Sequence, residues 1–218
     1  GKLDAYVLEG GFPGLGFEKG KKRIHLTGEL KDGVATLSSS DKKAGAVIKD
    51  GSLALTLDGE AIGDFPRLER KSPTLGKKAP EGAIVLFDGT SADAWEKGEV
   101  VDGLLRNNDI KTKRKFNDYH LHLEFRTPYK PFARGQARGN SGVYHQHRYE
   151  TQVLDSFGLE GKDNETGGIY KIAEPRLNMC LPPLTWQTYD VDFTTAKFDS
   201  EGKLLQPASM TVKLNGVL

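Results

Sequence analysis

The chain has 218 residues, 37% of them hydrophobic, and carries 31 basic against 30 acidic side chains. Such an even balance leaves no electrostatic footprint for nucleic acid or an anionic membrane, and no run approaches the ~18 consecutive apolar residues that a membrane helix needs. The single cysteine, Cys180, excludes an internal disulfide and any zinc-ligand spacing, and reads as a small buried hydrophobe.

Residues 1–66 read as a small β unit. Its glycine-rich opening, GGFPGLGF, is not a phosphate-binding loop, because no helix follows and the spacing is wrong for one. Strands are expected at Val34–Leu37 and Ser52–Leu57, where β-formers alternate. A basic, proline-containing linker is expected over residues 67–81, since RLERKSPTLGKKAP interrupts the alternation. A larger β domain then spans 82–218, with strands at His120–Phe125, Thr188–Phe193 and Met210–Leu214. The lysines of Lys111–Lys115 read as a surface loop. Asp-Gly or Asn-Gly pairs at 32–33, 50–51, 58–59, 88–89, 102–103 and 215–216 supply the positive φ values of two-residue hairpins. No segment sustains an i, i+3, i+4, i+7 apolar pattern, so the fold expected is an all-β sandwich or barrel with few, short helices. The turn at Asn215-Gly216 is followed by too few residues for a second arm, so the last strands of the domain are expected to lie beyond Leu218.

The densest chemistry lies in Gly139–Phe157, GNSGVYHQHRYETQVLDSF. Two alternating runs, Gly142–Gln146 and Tyr149–Leu154, joined at His147 and Arg148, read as an antiparallel hairpin. Period two puts Glu150 and Gln152 on one face, with Tyr149, Thr151 and Val153 on the other, and pairs Tyr144 with Gln146. A same-face polar pair inside a β-rich run calls for a reason, and function is the one preferred. Retaining glucanases use a Glu-x-Asp-x-x-Glu strand, and the comparable positions here are Glu150, Gln152 and Asp155. The middle residue does not ionise, and five positions of extended chain put Glu150 and Asp155 ~16 Å apart on opposite faces. A double displacement needs carboxyl groups ~5–5.5 Å apart, so that mechanism is disfavoured.

The segments LFDGTSADAW, LHLEFRTP, RGNSGVYHQHRYETQVLDSFG, GGIY, PPLTWQTYDVDF and ASMTVKLNGV, in that order, resemble the 3-keto-disaccharide hydrolase family over residues 82–218. The resemblance implies a concanavalin A-like jelly roll of two antiparallel sheets with a carbohydrate site on its concave face. It also implies base-catalysed elimination and hydration of a 3-keto-glycoside, in which the keto group acidifies the C2 proton. Glu150, Gln152 and Asp155 are then the catalytic candidates. Glu124, Arg126, Asn140, Tyr144, Gln146, His147, Arg148 and Trp186 are the candidates for holding the sugar or its developing charge. A divalent metal is an alternative stabiliser, with His145 and His147 as ligand candidates beside Glu150 or Asp155. Neither histidine carries a family role, and Thr166 stands where related sequences often have a cysteine. The expected partner is a carbohydrate, and the expected location is periplasmic or secreted with any leader removed.

Duller readings stand beside these. His120 and His122 share a strand face with Glu124 and Arg126 and are read first as a solvated face with cross-strand ion pairs. Tyr144, Tyr149 and Tyr170 are ordinary sheet residues, Trp186 suits a sandwich core as well as a sugar face, and Asp155 caps a turn. Asn140 and Ser141 are turn residues. The competing function is a non-catalytic carbohydrate-binding module of the same fold.

Overall fold

The structure is a computed structural model describing residues 1–218. Its first six strands form one antiparallel meander in sequence order: β1 (Lys2–Leu8), β2 (Arg23–Lys31), β3 (Val34–Ser38), β4 (Ala44–Lys49), β5 (Ser52–Leu57) and β6 (Glu60–Pro66). Alternation selects one face of it: Leu26, Ala35, Leu37, Ala44, Ala46 and Leu55 are buried, with Leu3, Ala5, Ile24, Leu53 and Leu57 packed against them. The turns follow their sequence chemistry. Asp32, Asp50, Asp58, Asp102 and Asn215 all take φ between 49° and 51°, each followed by a left-handed glycine. Asp88-Gly89 is the exception: Asp88 accepts from the backbone N–H and hydroxyl of Thr90, closing a local turn without a hairpin.

The remainder is also β. Short ladders pair β7 (Trp95–Glu96) with β10 (Lys111–Thr112) and β8 (Val100–Val101) with β9 (Leu104–Leu105). A three-stranded antiparallel sheet joins β11 (Tyr119–Phe125), β14 (Gln187–Thr194) and β17 (Ser209–Leu214), with β14 central. The hairpin is β12 (Ser141–His145) with β13 (Tyr149–Val153), and β15 (Lys197–Phe198) pairs with β16 (Leu204–Gln206). The helical content is a single 3-10 turn at Gly135–Ala137. The all-β expectation therefore holds.

Hairpin and three-stranded sheet pack face to face. Val153 shares a core with Tyr189, Val191, Leu214 and Met179, flanked by Leu121, Leu123, Phe125, Met210 and Val212. Tyr189 bolts the layers together: it is wholly buried, its hydroxyl donates to the Gln152 carbonyl at 2.5 Å, and the same oxygen accepts from Gly167 N–H at 2.7 Å. Burial pushes its phenol far above the ordinary tyrosine range.

The linker is a strap laid across the outer face of the three-stranded sheet. Ser72 and Thr74 hydroxyls meet Thr188 Oγ1 at 2.6 and 2.7 Å, Thr74 also donates to Asp190 at 3.0 Å, and Gly76 N–H donates to Glu124 at 2.5 Å. The same face carries the cross-strand pairs His122–Asp190 and His120–Asp192, each 2.8 Å. Arg70 of the strap donates to the Pro13 carbonyl at 2.8 Å, and the first unit reaches the second through Arg23, which donates to the Gly158 carbonyl at 2.5 Å.

Candidate functional site

The β12–β13 hairpin has two unlike faces. Its loop holds Gln146 and His147 at φ 52° and 56°, with Arg148 N–H donating to the His145 carbonyl at 3.1 Å, and the register runs His145↔Tyr149, Tyr144↔Glu150, Gly142↔Gln152. The inward face carries His145, Thr151, Tyr149 and Val153 onto the core, with Phe193 stacking on His145 at 5.7 Å between centroids. The outward face carries Tyr144, Glu150 and Gln152.

On that outward face Glu150 does not project. Its side chain folds back over β12 so that Oε2 accepts from the Tyr144 hydroxyl at 2.8 Å, while Oε1 lies above Gly142. This hydrogen bond to the carboxylate, foremost among several causes, holds the Tyr144 phenol above its ordinary pKa. Gln152 sits beside it, 2% exposed, donating to the Gln136 side-chain carbonyl at 3.2 Å and accepting from the N–H of Val153 at 3.0 Å. The far edge of β13 is taken by the GGIY segment: Gln152 N–H donates to Gly168, and Tyr170 N–H donates to Glu150, both at 2.9 Å. Tyr170 therefore flanks Glu150, and the Lys171 ammonium stands 5.2 Å from its ring centre. A carboxylate, two phenols and an ammonium group thus share one surface, with the Gln152 carboxamide buried beneath it. That surface can take a proton from carbon and can hold hydroxyl-rich ligands against aromatic faces.

The other expected residues are dispersed. Gln146 belongs to the loop, not to β12, and does not join Tyr144: its amide donates to Thr195 Oγ1 at 2.8 Å. The loop is one residue longer than the two expected, which ends the strand alternation before it reaches Gln146. His147 and Arg148 lie exposed in the same loop. Asn140 is exposed ahead of β12, in alternation with Gly142 and Tyr144. Glu124, Arg126 and Trp186 lie on the opposite side of the core, at the outer face of the three-stranded sheet. There Glu124 holds the strap, and Arg126 covers the Trp186 ring at 5.3 Å. The core separates these three residues from Glu150, because strand alternation points them outward from the second layer.

Asp155 is buried and bound to Arg138, with Oδ2 accepting from Nη2 at 2.5 Å and from Nε at 3.1 Å. Its other oxygen, Oδ1, is buried with no hydrogen-bond partner. His145 is 1% exposed, and both of its ring nitrogens are engaged, Nδ1 with the Tyr119 hydroxyl at 2.7 Å and Nε2 with Thr151 Oγ1 at 3.0 Å. Burial lowers its pKa to about 4, so it is a neutral core histidine. His145 and His147 do not converge with Glu150 or Asp155, and no group of three or more His, Cys, Asp or Glu side chains is placed to hold a metal ion. Thr166 Oγ1 donates to the Leu154 carbonyl and accepts from the Leu154 N–H at 2.7 Å, while Cys180 is buried with its thiol pushed up by desolvation.

Gly142, Gln136, Lys171 and Arg138 were not singled out from sequence, and Tyr170 was read as a plain sheet residue. The one available signal was a glycine inside a strand, which marks close approach by another group. Of the two main hollows, one of 510 Å³ is lined by Thr90, Asp93, Trp95 and Lys113, and one of 120 Å³ by Tyr149, Ile169, Phe193 and Met210; neither includes Glu150. The first is an open dent between two-residue ladders, so the chemistry, not the hollow, locates the candidate site.

The family model of the 3-keto-alpha-glucoside-1,2-lyase-like domain matches residues 82–218. The chain belongs to that family. Within this 3-keto-alpha-glucoside-1,2-lyase-like domain lie the hairpin, the GGIY segment and the three-stranded sheet, whereas the strap precedes it. A solved structure of a candidate glycosyl hydrolase from Parabacteroides distasonis is 40% identical with a TM-score of 0.59, and the match covers 64% of this chain and 64% of that one. The chain thus spans less than two thirds of that relative's length. None of the curated proteins compared with the chain matches it.

Proposed function

We propose that the chain is a carbohydrate-active enzyme that cleaves 3-keto-glycosides by elimination followed by hydration, with Glu150 as the base. The observation that carries this reading is the Glu150 carboxylate, held on the outward hairpin face by Tyr144 and flanked by Tyr170. A C3 keto group makes the C2 proton removable by one carboxylate. The C2–H electron pair first forms the enolate and then the C1=C2 bond as the C1–O pair leaves on the departing oxygen, which takes a proton from the protonated base or from water; water then adds across C1=C2, OH to C1 and H to C2. This chemistry asks for one base, a proton donor for the departing oxygen and hydrogen-bond donors for the developing enolate, not for two closely spaced carboxylates. The site fits that demand, because the nearest sequence candidate for a second carboxylate, Asp155, is buried against Arg138. The Lys171 ammonium, beside the Tyr170 ring, is the neighbouring donor suited to the enolate. The family match and the glycosyl hydrolase relative support a glycoside as substrate.

A carbohydrate-binding module is the second reading, favoured by the 60% exposure of Tyr144 and by the absence of Glu150 from either main hollow. Glu150→Gln separates the two. The enzyme reading expects turnover of a 3-keto-glycoside to fall about 10²–10⁴-fold with ligand affinity preserved. Wild-type protein that binds the sugar and never turns it over establishes the module instead.

A further inference from the structure

We infer that Gly142 is a positioning residue that seats the Glu150 carboxylate. The inference rests on the reading of Glu150 as the base. Tyr144 is the cross-strand partner of Glu150, and Gly142 is the diagonal neighbour on the same face, two residues back along β12. A Cβ built on Gly142 would stand 2.0 Å from Glu150 Oε1 and 2.7 Å from both Cδ and Cγ, and these are its three nearest atoms. The carboxylate therefore occupies the volume that any other residue at this position would fill with its own side chain.

The backbone does not ask for glycine here. Gly142 is not among the residues with positive φ, and it lies inside a paired strand, where a glycine weakens packing and adds chain entropy to the unfolded state. Its distinguishing feature is the carboxylate lying across it. The consequence is directional: Glu150 lies against the hairpin with Oε2 fixed by Tyr144 and Oε1 over Gly142, so the carboxylate is held in one orientation. A side chain at 142 would lift Glu150 off the strand, break its bond to Tyr144 and return it to the rotamer freedom of an exposed glutamate. Because the displaced group is the far end of a flexible side chain, the fold tolerates the change better than the site does.

The test is Gly142→Ala in the full chain, read three ways. Spectrophotometric titration, with Tyr144→Phe used to assign the Tyr144 component, is expected to show that phenol titrating at lower pH than in the wild type, because its carboxylate partner has left. Turnover of a 3-keto-glycoside is expected to fall at least about 10-fold in kcat with KM changed less than about 3-fold, the mark of lost base orientation. In a Glu150→Ala background the added methyl meets no carboxylate and the chain entropy of glycine is removed, so Gly142→Ala is expected not to lower the melting temperature there; this pair also decides the matter if the single variant fails to fold. Wild-type Tyr144 titration and wild-type kcat in Gly142→Ala overturn the inference, as does equal destabilisation with and without Glu150. A wild type that lacks turnover while the Tyr144 titration still moves in Gly142→Ala defeats the base assignment and leaves the seat standing.

Discussion

His145 makes the hairpin acid-sensitive, through a group that takes no part in the proposed chemistry. Its imidazole is 1% exposed, between the Tyr119 hydroxyl and Thr151, with Phe193 stacked against it. Its pKa of about 4 in the fold compares with 6.5 for an ordinary histidine. The folded value is the depressed one, so between these two values the unfolded chain binds more protons than the folded one. The stabilising contribution is therefore complete above pH 6.5 and is lost as pH falls toward 4. That depression corresponds to at most about 3 kcal/mol, of which about 2 kcal/mol is lost between pH 7.5 and pH 5. Both tryptophans, Trp95 and Trp186, lie within residues 82–218, so urea unfolding followed by tryptophan fluorescence reports on this part of the chain. His145→Gln removes the titrating ring, and its unfolding free energy is expected to fall less than that of the wild type over this interval, by about 2 kcal/mol. Comparing the two proteins cancels the other four histidines. Parallel losses in wild type and His145→Gln would refute the reasoning.

Arg138→Met strands the Asp155 carboxylate in the interior and is expected to cost about 3–5 kcal/mol, measured by chemical denaturation. Thr74→Val removes the strap hydroxyl shared by Thr188 and Asp190; the expected loss is about 1–3 kcal/mol. Hydrogen exchange should locate that loss in β11 and β14, with turnover at the distant hairpin face unchanged.

Much of the architecture was legible because it is written in local preferences. Asp-Gly and Asn-Gly pairs take left-handed turns wherever strands flank them, and Asp88-Gly89 departs because the Thr90 side chain and backbone offer Asp88 a competing local hydrogen bond. Period two correctly sent Glu150 and Gln152 to the face opposite Thr151 and Val153, since a paired strand has no other choice. The cross-strand pairing of His120 and His122 followed from the same rule. Gln146 was misplaced by one residue of loop length, the kind of boundary that alternation does not mark.

What local preference cannot encode is which distant groups meet. Asp155 stands at a carboxylate position of the glucanase pattern, yet Arg138, 17 residues away, pairs with it; His145 is a ligand candidate, yet Tyr119 and Thr151 engage both of its nitrogens. Arg126 and Trp186 belong with Glu150 in the sequence pattern but lie across the core from it, because they sit on the outer face of the other layer. By itself, then, the sequence determined the β character, the turns and the face that carries Glu150, all consequences of backbone sterics acting over a few residues. The tertiary structure alone decided that Gly142, Tyr144 and Tyr170 surround that carboxylate and that Asp155 and His145 are spent on the fold. Burial and pairing between remote segments set which polar groups remain free to act.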